Sequence, residues 1–189
     1  GFGVVFSDRA LEFLREDDPE TFAALTPQME SWHDMTIVHR NESVVIDGIG
    51  FAAIGRLKLL QLLQQRVRAV GVAPKFSRAV ASLDEFDGAD LVVGADGVNS
   101  LVRRGFIEEF GASVTFLANY FAWFGTGQRY DTLTQTFRHT PIGDFNAHHY
   151  RHAPGRSTFV VETDEASFAR AGFERLDEPE SRSLCQKIF

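Results

Sequence analysis

Residues 88–104 read GADLVVGADGVNSLVRR, and this stretch decides how the rest of the chain is read. Leu91, Val92 and Val93 form an unbroken apolar run, the pattern of a strand buried on both faces. Ala95-Asp96-Gly97 interrupts it. Residues 98–110 then read as a short helix with Asn99 or Ser100 as its cap. In open α/β sheets ligands bind beyond the carboxyl ends of the strands. The turn therefore has two readings. In one, Gly97 lets the backbone approach a ligand closely, and Asp96 accepts a hydrogen bond from a ribose hydroxyl or holds Arg103. In the other, it is a plain strand-to-helix connection with an Asp cap.

Upstream, GRLKLLQLLQQRVRAVG, residues 55–71, holds the clearest helix. Leu57, Leu60, Leu63 and Val67 share a face, broadened by Leu59 and Val70, and Gly71 closes it. Arg56 at its head opposes the helix dipole. It either pairs with an anion at that terminus or is simply exposed. VAPKFSRAVASLDEF, between this helix and the opening stretch, holds one strand and the edge of a second. Nearer the N-terminus, residues 3–7 predict a strand, SDRALEFLRE a helix capped by Ser7 or Asp8, and Pro19 the first turn of another. MTIVHR and ESVVIDG predict a hairpin around Asn41. After Ala118 four strand-like segments follow one another: NYFAWFGTG, TLTQTFRHT, DFNAHHYRHA and RSTFVVETD. This is the pattern of an antiparallel sheet. Two acid-capped helices follow.

The fold class is therefore α/β of mixed (α+β) type, with two interleaved textures. Residues 1–55 and 116–189 read as the two parts of one domain, residues 56–115 as part of another. The chain begins inside a strand without Met and stops inside a helical pattern, so an internal piece of a longer protein is expected.

Composition narrows the function. The 189 residues carry a net charge of −7 with no basic tract, which argues against nucleic acid. No apolar run is long enough to span a bilayer, and no membrane association is expected. The lone Cys185 cannot form an internal disulfide, which fits a reducing, cytoplasmic setting. Phe is over-used, at 18 against 3 Tyr and 2 Trp. That serves core packing, or the enclosure of a flat apolar ligand.

Several motifs resolve to other readings. Gly48-Ile49-Gly50-Phe51-Ala52-Ala53 has the form of a dinucleotide fingerprint, but no helix opens directly after it and no acidic residue follows at the required distance. His148, His149 and His152 lack the companion ligands of a metal site, and none is expected. They form a polar patch near an acyl substrate or a solvated sheet face. Cys185 has no feature of a nucleophile.

The string DLVVGADGVNSLVR resembles the Asp-Gly motif of the aromatic-ring flavoprotein monooxygenases, the group A hydroxylases typified by para-hydroxybenzoate hydroxylase. Asp96, Gly97, Ser100 and Arg103 occupy the motif positions, and Arg56 in GRLKLLQLL matches the family's FAD-proximal arginine. GFGVVFSDRALEFL, FGTGQRYDTLTQTF, HHYRHAPGRSTFVVETDEASFARAGF and SLCQKIF extend the likeness to nearly the whole chain. They resemble the branch acting on aromatic CoA thioesters, the salicylyl-CoA 5-hydroxylases and the monooxygenase half of 2-aminobenzoyl-CoA monooxygenase/reductases.

The resemblance implies an FAD-dependent hydroxylase with NAD(P)H as reductant. It hydroxylates an aromatic ring, with an aromatic acyl-CoA as substrate, through a flavin C4a-hydroperoxide, as in the degradation of aromatic compounds. The implied fold has FAD and substrate domains interleaved. Residues 1–55 and 116–189 would then be substrate-domain parts and residues 56–115 an FAD-domain part. Asp96 and Gly97 would contact FAD, braced by Arg103. Trp123, Phe124, Phe137, His148 and Tyr150 become candidates for the substrate pocket. The family's Gly-rich N-terminal loop and C-terminal Gly-Asp-Ala motif are not in these residues, so this chain alone is not expected to catalyse. Self-association into a homo-oligomer is left open. Two alternatives stand: another flavoprotein of the superfamily, reductase- or halogenase-like, or a non-enzymatic α+β binding module.

Overall fold

The computed structural model describes residues 1–189. The first elements are β1 (Gly3–Ser7), α1 (Asp8–Asp17), α2 (Pro19–Leu25), β2 (Glu30–Trp32), β3 (Met35–His39), β4 (Glu42–Ile46), β5 (Phe51–Gly55) and α3 (Arg56–Ala69). After α4 (Leu101–Gly105) come β6 (Asn119–Thr126), β7 (Leu133–Thr140), β8 (Gly143–Ala153) and β9 (Arg156–Asp164). The helices α5 (Glu165–Ala171) and α6 (Glu178–Ile188) close the chain. Contacts divide it into two compact units, residues 1–72 with 118–189, and residues 73–117. The helix α3 belongs to the first of them.

The first unit holds two sheets. A small antiparallel one has the order β1-β5-β2, and a six-stranded one the order β4-β3-β7-β8-β9-β6. Within the large sheet only β3 and β7 run parallel. Local chemistry forms these elements. Arg40 and Asn41 both take positive φ, 51° and 64°, which matches the twist of a two-residue hairpin between β3 and β4. Ser7 caps α1 by accepting from the Ala10 N–H, and Asp18 caps α2 by accepting from Thr21. Asp164 caps α5, Gly172 ends it with φ 73°, and Asp177 and Glu180 form a capping box on α6. The Gly48–Ala53 string runs into β5, a strand and not a helix. Gly50 is glycine for a packing reason: a Cβ there would fall 1.5 Å from the Asp8 carboxylate.

Two cores result. Trp32, Ala53 and Tyr150, with Val5, Phe51 and Leu133 against them, join the small sheet to one face of the large one. Phe145, Val161 and Cys185, with Phe159, Phe173 and Phe189, pack α5 and α6 against the other face.

Four expectations are corrected. Residues 91–93 are not a buried strand: they belong to neither sheet, and Leu91 and Val93 are 79% and 77% exposed. A strand exists only through a partner's backbone, and the second unit supplies none. For the same reason VAPKFSRAVASLDEF forms no strand, only a 3-10 turn at Leu83–Phe86. The helix expected over 98–110 is regular only in α4, although Ser100 does cap it. In α3 the apolar stripe is misassigned. Leu57 is 66% exposed, with Leu60 and Leu63 also exposed, while Leu59, Leu62, Arg66 and Val67 are half-buried. Ion pairs of Arg66 with Asp18 (3.4 Å) and Glu20 (2.5 Å) turn that side toward α2.

Candidate functional site

The pleat of the large sheet sorts the candidate residues. Register places Phe137, Asn146, Glu162 and Phe121 in one cross-strand row, and Gln135, His148, Val160 and Trp123 in the next. All eight share the face that the small sheet also touches, but these rows are not buried. Phe121 and Trp123 are 61% and 51% exposed. Their rings meet edge-on at 5.1 Å, and Phe2 stacks on Trp123 at 6.2 Å. Opposite them, His39 meets Phe137 edge-on at 6.3 Å.

The centre of this platform is polar. His148 Nε2 lies 3.2 Å from Asn146 Nδ2 and 3.9 Å from the Glu162 carboxylate, which also accepts from Asn119 at 2.8 Å. The result is aromatic walls about three strand spacings apart, roughly 14 Å, with hydrogen-bonding groups between. A flat ring can stack on either aromatic wall while the polar atoms between them fix its substituents.

Trp123, Phe137 and His148 therefore sit together. Tyr150 is on the same face but serves another end. It is 7% exposed, beneath the small sheet, and its hydroxyl donates to the Gly3 carbonyl at 3.0 Å. Burial raises its pKa above the ordinary phenol value. Phe124 points to the opposite face, toward Phe145 and Val161. Phe121, Asn146, Glu162 and Gln135 were missed. Period-two alternation alone carries them, and only once the strand register is known.

The three histidines do not converge. His149 faces away from His148, its Nε2 2.9 Å from Thr136 Oγ1. Its ring stacks on Phe159 at 4.9 Å. Burial, then the neighbouring His148, lowers its pKa from 6.5 to about 4, so it is neutral. His152 Nδ1 meets Thr158 Oγ1 at 3.1 Å. Burial pushes the Cys185 thiol up to about 11, which leaves it inert. Arg56 begins α3; its N–H donates to Phe2, and its side chain is exposed without an ion pair.

The second unit carries the Asp-Gly turn. One Asp96 oxygen accepts from the Leu101 N–H at 2.6 Å and from Val102 at 3.5 Å. The Ser100 hydroxyl, foremost, and these amides hold the Asp96 pKa below the ordinary carboxylate value. Ser100 Oγ accepts from the Arg103 N–H at 3.0 Å. Arg103 was expected to reach Asp96; its guanidinium instead donates to the carbonyls of Gly97 and Val98. Gly97 has φ 81° and open space where a Cβ would stand. Asp96 and Arg103 thus shape the turn from within, and Gly97 leaves its outer side clear.

Comparison with known proteins gives a consistent picture. No family model matches the chain. It is 42% identical over 94% of its length to a salicyloyl-CoA 5-hydroxylase from a Streptomyces species. It is 33% identical over its full length to protodeoxyviolaceinate monooxygenase from Chromobacterium violaceum. It spans only 34% and 51% of those two relatives. A probable FAD-dependent monooxygenase from Pseudomonas aeruginosa shares the fold over 96% of the chain at TM-score 0.62 and 13% identity. The tetrameric form of 2-methyl-3-hydroxypyridine-5-carboxylic acid oxygenase does so over all of it, at 0.70 and 15%. The chain covers 59% and 54% of those structures. No helix is long and apolar enough to cross a membrane.

Proposed function

We propose, for a chain whose relatives and fold are those of flavin-dependent aromatic monooxygenases, that it is the central section of an enzyme that hydroxylates an aromatic ring carried as an acyl-CoA thioester. Overall, aromatic C–H, O2, NAD(P)H and a proton give the phenol, water and NAD(P)+. The observation that carries the reading is the open platform of the large sheet, with Trp123 and Phe121 facing Phe137 across His148, Asn146 and Glu162. A cytoplasmic setting accords with the lone reduced thiol.

The second-unit turn fits FAD. Its glycine leaves the backbone open to a close approach, and its carboxylate is turned inward onto the Leu101 and Val102 amides. Gly97 would lie against the cofactor, and Asp96, Ser100 and Arg103 would keep the turn in shape. FAD, when bound, supplies the activation of dioxygen and the delivery of oxygen to the ring. The chain's own work is positioning. Trp123 or Phe137 would stack on the ring, and His148 and Asn146 would orient its substituent. The exposed run 91–93 would pair with strands from the rest of the protein.

The intact protein tests this. It should purify with, or take up, a flavin, and oxidise NAD(P)H faster when an aromatic acyl-CoA is added. Label from 18O2 should appear in the product hydroxyl. Protein that takes up no FAD sinks the proposal. NAD(P)H oxidation without product label turns it toward a reductase.

A further inference from the structure

On the large sheet's other face, under α6, lies a cavity of about 410 Å³, within the size range of small-molecule sites. It is walled by aromatic rings: Phe124, Tyr130, His149, Phe159 and Phe189. Phe159 stacks on the His149 ring at 4.9 Å, and Tyr130 meets the same ring at a tilt, 4.2 Å away. The two charged residues on its wall are arginines, Arg138 and Arg182; there is no Asp or Glu there, although the chain carries a net charge of −7. Arg138 donates to a neutral amide, Asn41 Oδ1 at 3.1 Å, and Arg182 has no ion-pair partner. A protein rich in carboxylates has left both guanidinium groups uncompensated here.

A second observation points the same way. His149 is 93% buried on this wall; with Nε2 taken by Thr136, its buried Nδ1 has no hydrogen-bond partner. Buried polar atoms are almost always satisfied, and an orphan calls for an explanation. With Thr136 donating to Nε2 the ring carries its proton on Nδ1; a carboxylate that reaches it on a slight turn of the ring satisfies that donor and pairs with the arginines.

We propose that this cavity is a second small-molecule site, on the face away from the aromatic platform, for a flat aromatic ring bearing a carboxylate. Neither the platform nor the Asp96 turn contributes to it, so it stands whether or not the hydroxylase reading does.

The test is calorimetric titration of the intact protein with 1-naphthoate and with its neutral counterpart, 1-naphthamide. Naphthoate should bind at least tenfold more tightly than the amide. Arg138→Gln with Arg182→Gln should weaken naphthoate at least tenfold, while Trp123→Ala on the platform leaves it unchanged. Arg182→Gln alone, at an exposed helical position, keeps the test valid if the double variant fails to fold, and should weaken binding severalfold. Equal affinity for acid and amide overturns the proposal. So does an affinity insensitive to the arginines, a loss caused only by Trp123→Ala, an absence of binding, or an intact structure in which the protein's own chain fills the cavity.

Discussion

His149 should make this protein acid-labile by an amount that can be worked out. Its ring is buried against Phe159 and Tyr130, and its pKa falls from 6.5 to about 4. Above pH 6.5 the imidazole is neutral in both folded and unfolded chains and favours neither. As pH falls below 6.5 the unfolded chain takes up a proton that the native one refuses, so stability drops until about pH 4, where both are charged. The full shift corresponds to about 3 kcal/mol, and about 2 kcal/mol of it is lost between roughly pH 8 and 5. At a urea slope near 2 kcal/mol per molar, the midpoint should move by about 1 M. The neighbouring His148 opposes protonation as burial does. Carboxylates elsewhere also titrate, so the comparison is with His149→Gln, which keeps a group able to bond Thr136 but cannot titrate. Urea unfolding at both pH values, followed by tryptophan fluorescence, should show the wild type losing about 2 kcal/mol more than the variant. An equal acid-induced loss in both proteins would refute the assignment of a buried neutral imidazole.

Three further outcomes follow from the geometry. Tyr150→Phe removes the hydroxyl that bridges the two sheets to Gly3 and should cost about 1–2 kcal/mol in chemical unfolding, with KM for the aromatic substrate unchanged. Trp123→Ala strips one wall of the platform; steady-state kinetics should show KM rising about tenfold, with less product formed per NAD(P)H. Gly97→Ala forces a side chain onto a backbone at φ 81°, at a cost of about 1 kcal/mol. Dialysis should then strip flavin from the intact variant faster than from the wild type, and identical retention would remove Gly97 from the cofactor site.

How far the sequence could be read depended on the range of the interaction concerned. The Ser7, Asp18, Asp164 and Asp177 caps each bond within three residues, and the Arg40-Asn41 hairpin closes on itself, so these boundaries were legible. The four strands after Ala118 were too, because each alternates and each is separated by Gly, Pro or Asp turns. The stripe on α3 was misread because Leu57, Leu59, Leu60, Leu62 and Leu63 offer more than one apolar face. Which face turns inward is set by the Arg66 pairs to Asp18 and Glu20, residues more than forty positions upstream. The five pocket candidates were chosen by residue type, and type does not say which way a strand faces. Register separates Phe124 from Trp123, and the small sheet over Tyr150 makes it a strut.

By itself, the sequence determined the elements whose energetics are local, and it carried the Asp96-Gly97 turn and the aromatic strands that tie this chain to its relatives. Tertiary structure alone decided which rows of the large sheet stay open, where the arginine-lined cavity lies, and that residues 91–93 have no partner in this chain. Caps and turns are satisfied by atoms a few residues away. A strand's hydrogen bonds and a pocket's walls come from distant backbone, and no local pattern specifies what that backbone will be.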